Sequence, residues 1–329
     1  MNKMIQTFKG GSLSATMLMR HSNGNLFVRK NVSIIKNREY GFQRWYSQLK
    51  RIQRYSVLFP GIFPKLLDYG KDEATAFMDL EYLNNAINAQ EFIDKSINFN
   101  EIDRFFNALI ENMDFMYQEK MVSSSNGIQL YINEEVDQRL KDCMQDEEFQ
   151  EFMKHESIIF NGVEVRPFID SKKVYKDLCI EYFQNPVEVF THGNLTLENI
   201  LYDPTKGRVI FIDPYEENII DSELAEYSQL LQSSNGKYEL YNSKHAKIDG
   251  NKINARIDNS PGIDYFNNML TEYLKESFTD RDYVMIRLFE VSQFIRMLPF
   301  KLVVDKNKLF LFYGLASYLF EQLRRELKV

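Results

Sequence analysis

The spacing of apolar residues divides the chain into a first part rich in strands and a helical remainder. Four short alternating runs predict strands at residues 16–20, 26–30, 65–70 and 74–80. Asn23 and Gly24, between the first two runs, are typical of a tight hairpin turn. A helix predicted at residues 37–55 separates the two pairs of strands.

From residue 89 onward, apolar residues recur every three or four positions, which indicates helices. The predicted helices lie at residues 100–119, 133–154, 172–183, 262–278, 281–298 and 306–328. Another begins near Asp221, which we expect to be its N-cap. Residues 233–261 are rich in Asn, Ser, Gly and Lys and predict a loop. The pattern therefore favours an α+β protein.

The composition of the chain argues against several classes of protein. A chain of 329 residues with 44% hydrophobic content can form one large domain or two lobes. A net charge of −7 gives no basic field for a nucleic acid. The two cysteines form no disulfide framework, and no apolar run reaches the length of a membrane span. Because the N-terminus also lacks a secretory signal, we expect a cytoplasmic protein.

The most informative stretch is residues 191–213. A His-Gly pair suited to a tight turn precedes two apolar strand-like runs, and a loop at residues 203–207 has the composition of a hairpin connection. The second run stops at Asp213. This order predicts that Asn194, Asn199 and Asp213 lie at one end of a small sheet.

This stretch resembles the catalytic core of the kinase-like phosphotransferases, specifically the aminoglycoside phosphotransferase and choline kinase group. The family pattern is His-Gly-Asp, four residues, Asn, and a hairpin ending in Ile-Asp; the chain matches it at His192, Gly193, Asn199, Ile212 and Asp213. The resemblance implies a two-lobed protein-kinase-like fold. Its small antiparallel-sheet N-lobe would span residues 1–83 and its mainly helical C-lobe residues 84–329.

The resemblance also implies ATP and magnesium as the cofactors. Asn199 and Asp213 would hold the metal, and His192 would shape the catalytic loop by packing and hydrogen bonding. The acceptor hydroxyl would lie beside Asn194. Asp221 would brace the loop.

A lysine for the donor phosphates is expected on the second predicted strand. Under period-two alternation Lys30 shares a face with Val28, whereas Arg29 faces the other way. Lys30 needs a carboxylate to fix it, and Glu39 is the one acidic residue between Lys30 and Asp68. We therefore predict a Lys30–Glu39 pair.

Two further nucleotide contacts follow from the resemblance. The turn formed by Gly10, Gly11 and Ser12 would cover the phosphates. The hinge between the lobes would bind adenine through the main chain of Glu81 and Leu83.

Asn194 departs from the family, which has its catalytic aspartate there. A neutral amide can orient a hydroxyl but cannot take its proton. Three interpretations remain open: an enzyme that tolerates the loss, a nucleotide-binding pseudokinase or scaffold, and a protein whose original aspartate was changed to slow turnover. The retained metal ligands, Asn199 and Asp213, argue against a scaffold with no nucleotide role, and we favour the first interpretation, an ATP-dependent kinase of a small hydroxylated molecule.

The acceptor is the least determined part of this hypothesis. We expect a sugar or a sugar-like polyol of surface-polysaccharide metabolism. Arg296 and Lys301 would meet an anionic substrate, or they are surface charges. A phosphate-ester hydrolase using His192 is a weaker rival, because no second histidine or metal cluster supports it.

Overall fold

The structure, a computed structural model, describes residues 2–8, 14–35, 38–122, 127–184, 187–215 and 218–329, and only the backbone of residues 14, 38–40 and 122. The chain forms two compact units. Unit 1 comprises Met1–Phe92, Asp103–Met116 and His192–Asn218. Unit 2 comprises Ile93–Ile102, Tyr117–Thr191 and Ile219–Val329. The predicted division at residue 83 stays a prediction.

The strands lie mostly in the first part of the chain and around the stretch at residues 191–213. In chain order they are β1 (Lys3–Phe8), β2 (Ser14–Arg20), β3 (Leu26–Ser33), β4 (Leu66–Lys71), β5 (Thr75–Glu81), β6 (Ile87–Asn88), β7 (Met121–Val122), β8 (Ile158–Phe160), β9 (Val163–Val165), β10 (Val187–Glu188), β11 (Ile200–Asp203), β12 (Arg208–Phe211), β13 (Lys247–Asp249) and β14 (Lys252–Asn254).

The helices dominate the later part. In chain order they are α1 (Arg38–Leu58), α2 (Ala89–Lys95), α3 (Phe99–Met116), α4 (Gly127–Tyr131), α5 (Arg139–Cys143), α6 (Glu147–Phe152), α7 (Phe168–Tyr182), α8 (Glu223–Ser234), α9 (Tyr238–Asn242), α10 (Pro261–Ser277), α11 (Asp280–Arg296), α12 (Leu298–Val304) and α13 (Lys306–Leu327). A π-helical segment, Ile132–Gln138, and a 3₁₀ turn, Leu197–Asn199, complete the set. None of the described helices has the length and apolar character needed to cross a bilayer.

Unit 1 contains an antiparallel five-stranded sheet in the order β1-β2-β3-β5-β4. Helix α1 covers one face of this sheet. Trp45, Leu49 and Ile52 recur at helical spacing and pack on a cluster that includes Val32 and Met78. All five side chains are less than a tenth exposed, and each buried side chain of this size contributes about 1.5–3 kcal/mol. This shared apolar cluster therefore fixes the position of α1 on the sheet.

A second sheet of unit 1 carries the stretch singled out in the sequence. Strands β12, β11 and β6 form it in that order, and all neighbours are antiparallel. The two predicted strand-like runs are β11 and β12. Their apolar side chains are buried apart from the half-buried Leu201, and Tyr202 packs between the rings of Phe92 and Phe105. This packing explains why so short a hairpin is stable.

Unit 2 is built around α11 and α13, most of whose residues are buried. A helix buried on every side must pair its polar groups. Ser292 of α11 shares a hydrogen bond of 2.7 Å with Tyr131, and Arg287 donates to Glu290 at 3.0 Å. The sheet-containing first part and the helical remainder confirm the predicted α+β class.

Two predicted elements of unit 2 are wrong. Residues 133–154 do not form one helix: the π-helical segment and α5 come first, and α6 begins after Asp146, whose carboxylate accepts the Phe149 amide. Residues 233–261 are not a loop but contain α9, β13 and β14. Their strands are three residues long, so they carry too few apolar positions to show a period.

The predicted N-cap of α8 is also wrong by one residue. Ser222 is the N-cap, and its hydroxyl accepts the Leu224 amide at 3.2 Å. Asp221 instead accepts a hydrogen bond from the Thr191 hydroxyl, and its carbonyl accepts the Val189 amide at 2.9 Å. Asp221 therefore braces the chain just before His192, within unit 2.

Candidate active site

The hairpin of β11 and β12 brings the two predicted metal ligands to one end of a sheet. Ile200 and Phe211 pair in register, and beyond them the Ile212 amide donates to the Asn199 carbonyl at 2.9 Å. Asn199 thus precedes β11 directly, and Asp213 follows β12 after one residue. Asp213 has a φ of 60°, which residues other than glycine rarely adopt. The backbone therefore turns sharply away from the sheet at this carboxylate.

The hairpin is held in place by the loop that follows α1. The Phe211 amide donates to the Ile62 carbonyl at 2.7 Å. Arg208 donates two hydrogen bonds to the Gly61 carbonyl, from Nε at 3.1 Å and from Nη2 at 2.9 Å. These contacts join segments about 150 residues apart into one unit, so the position of Asp213 depends on long-range contacts as well as on the hairpin.

Lys30 contacts the predicted metal ligand directly. It lies on β3, opposite Thr16 on β2 and Met78 on β5, and is 7% exposed. Its Nζ donates to Oδ1 of Asp213 at 2.6 Å and to Oε1 of Gln48 at 3.2 Å. A buried ammonium requires such partners, because its desolvation is otherwise very costly. The structure therefore brings Lys30 and Asp213 into direct contact, which the sequence analysis did not predict.

Gln48 of α1 contacts Lys30 and was not considered in the sequence analysis. The side chain of Glu39 lies outside the described part of the structure, so the predicted pair stays a prediction. Gln48 was missed because the search considered only carboxylates. The sequence signal for Gln48 is its position on α1, where it borders the apolar stripe that contains Trp45 and Leu49.

His192 is completely buried and fixes the turn after it. The Asn194 amide donates to Nδ1 at 3.3 Å, so the proton lies on Nε2, which donates to the Ile212 carbonyl at 2.7 Å. The ring is parallel to Phe63, with 6.1 Å between centroids. Burial, helped by the positive charge of Arg51, lowers the pKa of His192 to about 4. At neutral pH the imidazole is therefore uncharged and makes both bonds.

Gly193 is required by the geometry of this turn. Its φ of 84° lies in the left-handed region. A Cβ there would lie 2.3 Å from the Tyr215 carbonyl oxygen, 2.3 Å from Nδ2 of Asn218 and 2.9 Å from Nη1 of Arg51. No side chain fits without moving the backbone, which explains the His-Gly pair.

Asn194 and Asn199 are linked through the backbone. Nδ2 of Asn199 donates to the Asn194 carbonyl at 2.8 Å, and the Thr196 amide donates to the same carbonyl at 3.0 Å. Since Nδ2 of Asn199 is used in this way, its Oδ1 is the atom suited to a cation. The turn at residues 192–194 and the metal-ligand candidate Asn199 consequently form one hydrogen-bonded substructure.

The donor set at this end of the hairpin fits a magnesium ion. An amide oxygen and a carboxylate are hard ligands, and Mg²⁺ bound by one or two protein groups retains water and phosphate ligands. Asp213 is 39% exposed in its side chain, which leaves it accessible to a bound ion. Within the described residues, no group of three or more His, Cys, Asp or Glu side chains forms another metal site.

The predicted hinge residues lie at the end of β5 and just after it. Glu81 ends that strand, and its amide donates to the Lys65 carbonyl at 2.9 Å. The Leu83 carbonyl accepts the Ala86 amide at 3.2 Å. Glu81 and Tyr82 line an open cavity of about 660 Å³. Gly10, Gly11 and Ser12 lie outside the described residues.

Arg296 and Lys301, considered for an anionic substrate, contact other residues of unit 2. Nε of Arg296 donates to Glu135 at 3.1 Å, and Nζ of Lys301 donates to Asn242 at 2.8 Å. Lys301 is 4% exposed, so it is not a surface charge.

Comparison with known proteins informs the fold of this chain. No protein-family model and no curated protein sequence matches the chain. Among solved structures, the chain is similar to a protein described as "Putative fructosamine-3-kinase" from Haemophilus somnus 129PT, with a TM-score of 0.55 and 10% sequence identity. The match covers 96% of this chain and 92% of the other. At this identity the likeness concerns the fold alone, and it confirms that the chain has a protein-kinase-like fold.

Proposed function

We propose that this protein is an ATP-dependent phosphotransferase that phosphorylates a hydroxyl group of a small molecule. The observation that carries the proposal is the 2.6 Å contact between Nζ of Lys30 and Oδ1 of Asp213. It joins two residues 183 positions apart, one on the sheet covered by α1 and one at the end of the β11–β12 hairpin. A lysine for phosphates beside a carboxylate for a metal is the arrangement that phosphoryl transfer requires.

Each residue then has a defined task. Lys30 binds the donor phosphates, and Gln48 orients its ammonium group. Asn199 and Asp213 would hold Mg²⁺, which when bound neutralises charge on the phosphates. His192 holds the turn through its two hydrogen bonds and takes no proton, because its neutral ring is buried.

The acceptor hydroxyl would be oriented by Asn194. In the transfer, the bond between the γ-phosphorus and the β,γ-bridging oxygen of ATP breaks and a bond from the acceptor oxygen forms, leaving ADP. Because Asn194 cannot take the hydroxyl proton, that proton leaves to solvent or to the phosphoryl group. A general base is worth about 10²- to 10⁴-fold, so its loss slows this reaction without preventing it.

We infer a sugar or a sugar-like polyol as the acceptor. The solved structure with a similar fold carries the name of a fructosamine kinase, and the composition of this chain offers no basic field for a nucleic-acid substrate. The aminoglycoside and choline kinase group remains the family that the motif resembles.

A second candidate function is a nucleotide-binding pseudokinase. It is favoured by the amide of Asn194, which stands in the turn where the family that the motif resembles has its catalytic aspartate. Such a protein would bind Mg²⁺ and ATP but would not turn over, and its role would be to present a surface to a partner.

Nucleotide binding is tested by the melting temperature with ATP and Mg²⁺ together. We expect an increase for the native protein and none for Asp213→Ala. The matched control is Asp249→Ala, an exposed carboxylate of unit 2 that should respond like the native protein. An unchanged melting temperature in the native protein at saturating Mg²⁺ and ATP would refute both candidate functions.

Turnover separates the two candidates. ADP release should be measured over a panel of hydroxylated metabolites for the native protein and for Asn194→Asp. A kinase gives acceptor-dependent release with the native protein and a gain of about 10²- to 10⁴-fold with Asn194→Asp. Release only after the substitution identifies the pseudokinase.

A further inference from the structure

Helix α1 presents a polar face to the candidate site beside its apolar face. Arg44, Gln48 and Arg51 are four and three residues apart, so they lie along one side of the helix. The Arg44 guanidinium lies 5.7 Å from the Tyr215 ring centre, and Nε2 of Gln48 donates to the Pro214 carbonyl at 3.4 Å. The polar face of α1 therefore contacts the segment that begins at Asp213, within unit 1.

Arg51 is the member of this face that reaches the turn at residues 192–194. It is 5% exposed, and its guanidinium lies 5.2 Å from the ring centre of Tyr55. Its Nη1 is 2.9 Å from the position that a Cβ of Gly193 would take. An arginine fills the space that a side chain at position 193 would otherwise require.

The charge of Arg51 acts on the same turn. His192 holds the turn only as a neutral imidazole, because Nδ1 must accept the Asn194 amide. A fixed positive charge beside the ring disfavours a second proton on it, and Arg51 is one of the causes that lower the pKa of His192. The packing and the charge of Arg51 thus favour the same arrangement of the turn.

We propose that Arg51 is a positioning residue that fixes the turn at residues 192–194, and with it Asn194, from helix α1. This inference rests on the proposed function, since Asn194 is there the residue that orients the acceptor. No contact between Arg51 and substrate is implied. Its effect on the reaction passes through Gly193 and His192.

The positioning itself is tested without any activity, by amide hydrogen exchange in the full chain. Arg51→Met should accelerate exchange of the Asn194 amide by about tenfold or more, because the turn opens more often. The control is Arg54→Met, the same change at an exposed position on the same helix. Equal exchange at Asn194 in both variants and in the native protein would overturn the proposal.

The consequence for the reaction is tested by ADP release from Mg²⁺ and ATP, with water as the acceptor. Arg51→Met should lower kcat by about 10- to 100-fold, as expected for a misplaced group, while KM for ATP stays nearly constant. Arg51→Lys, which keeps the charge, should recover part of the loss. A change confined to KM, or no recovery with lysine, would contradict the assigned role.

Failure of a variant to fold and failure of the proposed function can both be distinguished from failure of the positioning role. If Arg51→Met does not fold, judged by circular dichroism, Arg51→Lys and Arg51→Gln are measured by the same exchange experiment and decide the question. If the native protein neither binds ATP nor releases ADP, the proposed function fails. Exchange at Asn194 still decides whether Arg51 fixes the turn.

Discussion

His192 makes the stability of the fold depend on pH in a calculable way. Its pKa is lowered to about 4 in the folded protein, from an ordinary value of 6.5. Unfolding therefore takes up a proton between these two values, and the free energy of unfolding falls as the pH falls. The contribution is fully present above pH 6.5 and is lost progressively down to pH 4, with a total of about 3 kcal/mol. Between pH 7 and pH 5 the expected loss is about 2 kcal/mol.

The assay compares urea unfolding of the native protein and His192→Gln at pH 7, 6 and 5. The substitution removes two hydrogen bonds and ring packing, so the variant is less stable at pH 7. Other titrating groups contribute equally to both proteins. The stability advantage of the native protein should shrink by about 2 kcal/mol from pH 7 to pH 5.

A second histidine serves as the control in this comparison. His155 is exposed, so His155→Gln makes the same substitution away from the buried turn. If the difference between the native protein and His192→Gln stays constant from pH 7 to pH 5, the imidazole is not held neutral by the fold. His192 would then not hold the turn at residues 192–194 as a neutral ring.

Three further predictions concern packing and charge away from the site. Arg29 and Asp79 form a two-point ion pair at 2.6 Å, with Asp79 2% exposed, so Asp79→Ala should cost about 3 kcal/mol in urea unfolding and much less in an Arg29→Met background. Gly314→Ala should lower stability by about 1–3 kcal/mol, because its Cβ would lie 2.5 Å from Ile253, whereas Gly127→Ala should not, because the nearest atom among the described residues is on Ile220 at 3.8 Å. The two cysteines are buried, and burial raises the pKa of each thiol to about 12, so both should resist alkylation until the protein is unfolded.

Sequence patterns predicted the local structure of the candidate site well. The hairpin at residues 199–212 follows from two apolar runs around a turn of suitable composition, and the observed strands β11 and β12 lie where those runs are. The face of Lys30 follows from period-two alternation, because Val28 and Val32, which share its face on β3, belong to the cluster that packs on α1. In both cases the information lies within a few consecutive residues.

Tertiary contacts were predictable only in part. The choice of Gln48 as the contact of Lys30 depends on how α1 is rotated on the sheet, and that rotation is set by packing of Trp45, Leu49 and Ile52. Opposite charge alone does not point to Gln48, because its side chain is uncharged. Strands β13 and β14 were missed for a similar reason, since they are stabilised by strand pairing, β13 with β14 and β14 with β8, rather than by a long apolar pattern.

The site also shows why the motif alone does not determine the chemistry. The His-Gly pair, Asn199 and Asp213 are explained by backbone geometry and oxygen ligands, and these parts are the same whether or not the protein turns over. Under the proposed function, the rate would depend on whether Asn194 is held where a hydroxyl must approach, because phosphoryl transfer relies on position more than on proton removal. The buried ring of His192 holds the turn that contains Asn194, and Arg51 of α1 is proposed to hold it as well. A kinase with this site would therefore depend on how firmly α1 holds the turn as well as on the identity of residue 194.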